Sequence, residues 1–273
     1  MNLLYTTWAL QIEEIAMQTI NISNVLGHIG SDPQHTQLPN GTLKTVVSIA
    51  TNIGTGDRQK VQWHTALFWG KTAEVAAKLK KGDALFVSGY VDYRKWNDKE
   101  TGQPREKTEI HVQHFSKVEN PMQTINQINI LGNIGADALF KQFGDNAKTT
   151  ISVATNIGSG DRQKAQWHTV IFWGKAAEVT AKLKKGDALF VNGYIETRKW
   201  TDANSGQNRE KTEIHAQQFS IISGQVGQIS NHNIEPSQQQ VGYGNIQENN
   251  YSHNGYDKNP NDFDQDSSMP LPY

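Results

Sequence analysis

VQWHTALFWGKTAEVAAKLKKGDALFVSGYVDYRKW, residues 61–96, places two segments rich in Val, Thr and aromatic residues on either side of a short helical pattern. Such β-branched and aromatic segments are typical of strands. Between them, Val75 and Leu79 are spaced i,i+4, as on one face of a helix, and Gly82 is placed to cap its C-terminal end. The stretch predicts a strand, one short helix over residues 71–82, and a second strand.

The same stretch returns 104 positions later, at residues 165–200. Residues 45–115 align with residues 149–219 without a gap, and 51 of the 71 aligned positions are identical. Upstream, INISNVLGHIGSD matches INQINILGNIGAD with an offset of 105, so the second copy has lost one residue in an early loop. Because a unit of about 100 residues can bury its own core, the repeat predicts two tandem domains.

Five segments of the first copy have the composition of strands, and the second copy repeats them. Five strands with one helix between the third and the fourth suit a small closed barrel of the oligonucleotide-binding (OB) type, which leaves few exposed sheet edges. We therefore expect an all-β chain with two such barrels in tandem. The predicted strands of the first copy are residues 20–30, 43–51, 61–70, 84–96 and 106–116.

Charge and composition divide the chain further. The formal net charge is -1, but from residue 219 onward the only basic residue is Lys258, against six acidic residues. That end is rich in Gln, Asn, Gly and Ser, and such a composition cannot bury a core. The predicted organisation is an N-terminal extension at 1–16, OB-fold domains at 17–118 and 122–222 joined by a linker at 119–121, and a disordered acidic tail at 223–273.

The function classes that composition excludes are limited but useful. The chain has no cysteine, which excludes disulfides and thiolate metal sites. No apolar run reaches about 18 residues, the length that spans a membrane. Residues 1–16 contain two Glu and no Lys or Arg, unlike the basic start of a secretory signal.

The predicted fourth strand indicates a ligand surface, since side chains alternate between the two faces of a strand. Leu85, Val87, Gly89 and Val91 form a face suited to the core. The opposite face combines aromatic residues with an arginine in both copies, and a solvent-facing strand has no folding reason to keep large aromatics. That face contains Phe86, Ser88, Tyr90, Asp92, Arg94 and Trp96, repeated as Phe190, Asn192, Tyr194, Glu196, Arg198 and Trp200.

The third strand, residues 61–70, is ambiguous. Trp63 and Trp69 share one face with Thr65 and Leu67, whereas the other face has Gln62, His64, Ala66 and Phe68. On alternation alone, the face with the tryptophans is the better candidate for the core. The pattern leaves both interpretations open.

Enzymatic signatures are weak, so we predict a non-enzyme without a cofactor or metal. The glycine run from Gly54 to Lys60 lacks the phosphate-loop pattern and is followed by a strand. His111 and His114 have a metal-like spacing, but the second copy has His215 and Gln218 there. An oligosaccharide-binding barrel also remains open.

At QWHTALFWGKTAEVAAKLKKGD and YRKW, and again at QWHTVIFWGKAAEVTAKLKKGD and TRKW, the chain closely resembles bacterial single-stranded DNA-binding proteins. The resemblance extends over nearly all of residues 17–222 and includes NVLGHIGSD, the turn Pro39 to Gly41 and the acidic end. It implies sequence-independent binding of single-stranded DNA (ssDNA) that protects the strand and serves replication, recombination and repair in the bacterial cytoplasm, at the nucleoid. The alternative is a protein-recruiting replication scaffold or mobile-element factor that binds ssDNA or RNA weakly. The resemblance also implies a homodimer, because four barrels are the family's usual number.

The resemblance assigns roles to particular residues. The tryptophans that would stack on bases are Trp63, Trp69, Trp96, Trp167, Trp173 and Trp200. The alternation of the fourth strand, rather than the resemblance, adds Phe86, Tyr90, Phe190 and Tyr194 to that surface. Phosphates contact Lys71, Lys80, Lys81, Arg94, Lys95, Lys175, Lys184, Lys185, Arg198 and Lys199. His64 and His168 match a histidine at the family's subunit interface. Partner proteins of replication and repair bind the chain end, through Asp262, Phe263, Asp264, Asp266, Leu271, Pro272 and Tyr273.

Several positions depart from the family pattern. A stacking tryptophan common in the loop before the third strand is missing from NIGTGDRQ and NIGSGDRQ. Positions that are basic in the family are occupied in this chain by other residues: Thr65 and Thr169 on the third strand, and Asp92 and Glu196 on the fourth. We therefore expect each barrel to bind DNA more weakly than a typical family domain, with the tethered second barrel compensating through effective concentration.

Overall fold

A computed structural model describes residues 18–99, 102, 104–158, 160–201 and 208–222, all within one compact unit. The predicted extension at 1–16 and the acidic tail lie outside the described residues. Barrel 1 contains β1 (Ile20–Ile29), β2 (Gln34–Gln37), β3 (Leu43–Ile53), β4 (Lys60–Trp69), α1 (Lys71–Ala76), β5 (Ala84–Asn97) and β6 (Pro104–Val118). Barrel 2 contains β7 (Ile125–Ile134), β8 (Leu139–Phe143), β9 (Asn146–Ile157), β10 (Lys164–Trp173), α2 (Lys175–Thr180), β11 (Ala188–Thr201) and β12 (Asn208–Ile222).

The strand pairings close each barrel. In barrel 1, β1 pairs with both β3 and β5, β3 pairs with β4, β4 runs parallel to β6, and β6 pairs with β5, so the five strands form a ring. Strand β1 passes very close to β3 at Gly27, where an added Cβ would lie 2.0 Å from the carbonyl oxygen of Ala50, and it pairs with β3 at the next two residues. The predicted all-β fold of two tandem OB-type barrels is confirmed.

Two details differ from the prediction. Each barrel has a sixth, short strand at its edge, β2 or β8, whose only partner among the described strands is β3 or β9. The helices are also shorter than predicted: α1 ends at Ala76, and Gly82 instead adopts a positive φ of 88° in the turn before β5. Helix α1 buries Ala73 and Ala76 and leaves Val75 exposed, and the Thr45 hydroxyl joins the helix to β3 by donating to the Ala73 carbonyl at 2.7 Å.

The two barrels share one sheet. Strands β1 and β7 pair antiparallel from Ile20 opposite Leu131 to Leu26 opposite Ile125, which links the rings into a twelve-stranded sheet. Since Ile125 is the repeat equivalent of Ile20, this register relates the barrels by an approximate two-fold axis. Among the described residues, no helix is both long and apolar enough to cross a membrane.

Candidate nucleic-acid interface

All six repeated tryptophans lie at the surface. Gln62, His64, Ala66 and Phe68 point inward from β4 instead, so the interpretation of buried tryptophans, which alternation favoured, is wrong. Gln62 and His64 tolerate burial because both are hydrogen-bonded: the Gln62 Oε1 accepts from the Thr197 amide at 3.1 Å, and the His64 Nε2 lies 2.9 Å from the Thr51 hydroxyl. The exposed fractions are 53% for Trp63, 37% for Trp69, 39% for Trp96, 53% for Trp167, 50% for Trp173 and 45% for Trp200.

Trp63 and Trp167 rest on glycine backbone. A Cβ on Gly30 would lie 2.2 Å from the Cζ3 atom of Trp63, and one on Gly135 would lie 2.1 Å from the Cζ3 atom of Trp167. Each indole therefore contacts the backbone directly after β1 or β7 and stays about half exposed. The loop beyond Gly30 reaches α1's exit turn, where the Lys81 amide donates to Asp32 at 2.9 Å.

Replacing Gly30 and Gly135 by Ala should displace both indoles without unfolding the barrels, because the added methyl meets the far end of a side chain. We expect ssDNA affinity to fall, at most by the stacking contribution of the displaced rings, which is about 5- to 150-fold for each base lost. Titration with oligo-dT and urea unfolding measure the two effects, with Ser31→Ala as the neighbouring control. A loss of stability without a loss of affinity would contradict this seating role.

Trp69 belongs to an aromatic row that crosses the sheet. His111 stacks on Tyr90 with centroids 4.8 Å apart, and Trp69 stacks on His111 at 6.2 Å. In barrel 2, Tyr194 and His215 stack at 5.1 Å. Lys44 and Lys148, which the sequence analysis did not select, lie over Trp69 and Trp173 at 5.5 and 5.4 Å. Equivalent lysines in both copies were the signal that could have identified them.

Trp96 and Trp200 lie near the ends of the long hairpins. Arg94 lies 5.3 Å from the Trp96 ring centroid, whereas the equivalent Arg198 pairs with Glu213, with Nε and Oε2 3.2 Å apart. An open cleft between the barrels is lined by Trp96 and Trp200 together with Trp167 and several lysines. Side chains from both barrels thus face one common space.

The predicted phosphate-contacting lysines are exposed but differently placed. Lys71 and Lys175 begin α1 and α2, two residues after Trp69 and Trp173. Lys95 and Lys199 form surface pairs with Glu106 and Glu210, at 3.2 and 3.8 Å. Such exposed pairs contribute little to stability, so Lys95 and Lys199 can exchange these carboxylates for another anion. The remaining four, Lys80, Lys81, Lys184 and Lys185, occupy the turns between helix and β5 or β11.

The alternation of the fourth strand suggested that Asp92 and Glu196 belong to an open aromatic face, but they do not. Both are buried, and each pairs with a lysine of the other barrel: Lys164 lies 2.9 Å from Asp92, and Lys60 pairs with Glu196. These two acidic departures from the family pattern therefore join the barrels to each other. An alternative orientation of the Gln166 amide adds bonds to Asp92 and to the Tyr93 amide.

Burial lowers the pKa of four histidines. His168 lies within the barrel junction, with Nδ1 3.1 Å from the Tyr93 hydroxyl of the other barrel and Nε2 2.8 Å from Thr155. Burial lowers the pKa of both His64 and His168 to about 4. Burial also lowers the pKa of His111 and His215, against the opposing effect of Asp92 and Glu196 beside them. Among the described residues, no cluster of side chains suits a metal ion.

The Single-strand binding protein family model matches residues 20–118 and again residues 125–222. The chain belongs to this family. Each match begins with β1 or β7 and ends with β6 or β12, so this member of the single-strand binding family contains two copies of the family domain.

Individual relatives agree with that assignment. A single-stranded DNA-binding protein 1 of Xylella fastidiosa is 36% identical over 109 residues, which covers 37% of this chain and 79% of that protein. The single-stranded DNA-binding protein of Deinococcus radiodurans is 26% identical over 230 residues, covering 74% of this chain and 75% of the relative. The wild-type single-stranded DNA-binding protein of Thermus aquaticus has the same fold, with a TM-score of 0.64 at 20% identity, over 78% of this chain and 97% of that structure.

Proposed function

We propose that this chain binds single-stranded DNA without sequence preference, by stacking bases on six tryptophans and pairing phosphates with nearby lysines and arginines. The observation that carries the proposal is that all six indoles are exposed, in two equivalent sets. Unpaired bases present flat faces of similar chemistry whatever their identity, so stacking ignores sequence. Phe86, Tyr90, Phe190 and Tyr194 are half-buried and would extend the contact surface.

The energetics favour a salt-sensitive complex. For proteins of this kind, each stacked base contributes about 1–3 kcal/mol, and part of the sum is offset by ordering of the strand. Lysine contacts to phosphates release counterions, so affinity should fall linearly on a log–log plot against salt, with a slope of about -0.7 per phosphate on single strands. Duplex DNA, whose bases are already stacked on each other, should bind weakly.

Tryptophan fluorescence tests the function directly. We expect saturating oligo-dT to quench the emission strongly, with weaker binding at higher salt. Oligo-A RNA, an oligosaccharide and duplex DNA are the comparison ligands, because they separate the alternatives left open by the sequence. Unchanged emission at saturating oligo-dT would contradict the proposal.

We propose further that two chains associate into a dimer with four barrels. The support is that the barrels are already paired within one chain through β1 and β7, so one additional contact between chains completes a set of four. Sedimentation should give twice the mass of the chain. A monomer, or a particle of four chains, would contradict the dimer.

Roles in replication, recombination and repair, in the bacterial cytoplasm at the nucleoid, follow as part of the same proposal. The acidic chain end, from Asp262 to Tyr273, would recruit the partner proteins. Those residues lie outside the described part of the chain, so the support for this recruitment is their sequence alone. The predicted domain boundaries also stay a proposal.

A further inference from the structure

The edge strands of the two barrels differ in chemistry although they occupy equivalent places. Strand β2 is QHTQ, whereas β8 is LFKQF, and every residue of both strands is exposed. In β8 the exposed fractions are 67% for Leu139, 43% for Phe140 and 54% for Phe143. Barrel 2 therefore displays large apolar side chains where barrel 1 displays polar ones.

One face of β8 continues the surface that contains Trp173. Lys141 pairs with Lys148 across β8 and β9, and Lys148 pairs with Trp173 across β9 and β10, so the three side chains form one row. With neighbouring strands about 4.8 Å apart, Lys141 lies about 10 Å from Trp173 across the sheet. Phe143 follows Lys141 by two residues and so shares its face, diagonal to Lys148.

Barrel 1 lacks this extension. Thr36 occupies the position opposite Lys44 that Lys141 occupies opposite Lys148. Leu38, half-buried where the chain turns back to Thr42, takes the place of Phe143. The row of Trp69 and Lys44 thus ends without a further cation or aromatic ring.

We propose that Lys141 and Phe143 form an additional ssDNA subsite in barrel 2, where a base stacks on Phe143 and a phosphate pairs with Lys141. This inference rests on the proposed function, and it makes the two barrels unequal: barrel 2 contacts a longer stretch of the strand than barrel 1. A strand stacked on Trp173 meets the subsite by continuing over Lys148 toward the sheet edge.

Charge favours a nucleic-acid occupant over a second copy of the chain. In a symmetric antiparallel pairing of two β8 strands, Lys141 at the centre of the strand would lie opposite Lys141 of the second copy. The Lys148 of each copy would lie on the neighbouring strand, next to this pair. Like charges directly opposite each other destabilise a strand pair, and an edge lysine is a common means of preventing such pairing. The same two lysines attract a phosphate backbone.

The test uses the full chain with barrel 1 weakened by Trp63→Ala, Trp69→Ala and Trp96→Ala, so that barrel 2 dominates binding. In that background, Phe143→Leu and Lys141→Thr introduce the barrel 1 residues. We expect Phe143→Leu to weaken oligo-dT binding about 5- to 150-fold with little change in salt dependence. Lys141→Thr should reduce the log–log salt slope by about 0.7, the value for one lost phosphate contact.

Phe140→His is the matched control, because Phe140 lies on the opposite face of the same strand and His35 is its barrel 1 equivalent. It should leave affinity unchanged. The reciprocal exchange, Thr36→Lys with Leu38→Phe, should strengthen oligo-dT binding when barrel 2 is weakened by Trp167→Ala, Trp173→Ala and Trp200→Ala. Circular dichroism confirms that each variant is folded.

The outcomes separate the subsite from the general function. If the background binds oligo-dT and neither Phe143→Leu nor Lys141→Thr alters affinity or salt slope, the subsite is wrong and the proposed function stands. If the variants change only the sedimentation of the free protein, β8 is a contact between chains and the subsite is again wrong. If unmodified protein does not bind oligo-dT, the proposed function itself fails.

Discussion

Replacing Trp63 and Trp167 together by Ala should lower the affinity for oligo-dT by about 30- to 20,000-fold, the loss expected for two stacked bases. These equivalent residues are each 53% exposed, the highest fraction among the six indoles, and each rests on glycine backbone. Truncation therefore removes a binding surface and leaves the core intact. Equilibrium titration at fixed salt measures the affinity.

Val75→Ala is the control for that pair, since Val75 is 52% exposed on α1 and lies outside the tryptophan surfaces. It should change neither affinity nor stability by much. Each single tryptophan variant should show a smaller loss, because the other barrel still binds. An affinity within about threefold of the unmodified protein for the double variant would rule out stacking at these positions, since even one stacked base exceeds that ratio.

Much of the fold could be predicted because each strand pattern occurs in both copies of the repeat. The predicted strand 84–96 corresponds to β5, and its inward face of Leu85, Val87 and Val91 is fully buried. The inward face of β4 could not be predicted, because Gln62 and His64 are polar and polar side chains are mostly exposed. Their burial depends on Thr197 and Thr51, partners that only the folded barrels bring near.

The roles of Asp92 and Glu196 show a similar limit. From sequence, each is an acidic residue on a strand face with aromatics, and the prediction was weaker DNA binding in each barrel, which stays a prediction. The structure adds that their charge is neutralised by Lys164 and Lys60 from the opposite barrel. Pattern analysis of one repeat could not find these pairs, because each pair joins two repeats. Both edge strands were missed: β2 is short, polar and exposed, and the sequence of β8 is unlike the equivalent part of barrel 1.

Mild acid should destabilise the protein through His64 and His168. Burial lowers the pKa of each to about 4, from an ordinary value of 6.5. Between these values the unfolded chain binds protons that the folded chain does not, so the free energy of unfolding falls as pH decreases below about 6.5 and levels off below about 4. From pH 7 to pH 5 the loss is on the order of 2 kcal/mol for each histidine, and about 4 kcal/mol for the pair.

Urea unfolding at pH 7 and pH 5 measures this loss, and His64→Gln with His168→Gln isolates its source. Glutamine keeps hydrogen-bonding groups near Thr51 and Thr155 but does not titrate, so the double variant should lose about 4 kcal/mol less than the unmodified protein over this interval. Carboxylates such as Asp83 and Asp137, whose pKa values are lowered by hydrogen bonds from lysine side chains or backbone amides, lose their stabilising effect only at lower pH. An equal acid sensitivity in the two proteins would show that the buried histidines do not control it. His111 and His215, whose pKa values burial also lowers, would then be the next pair to replace.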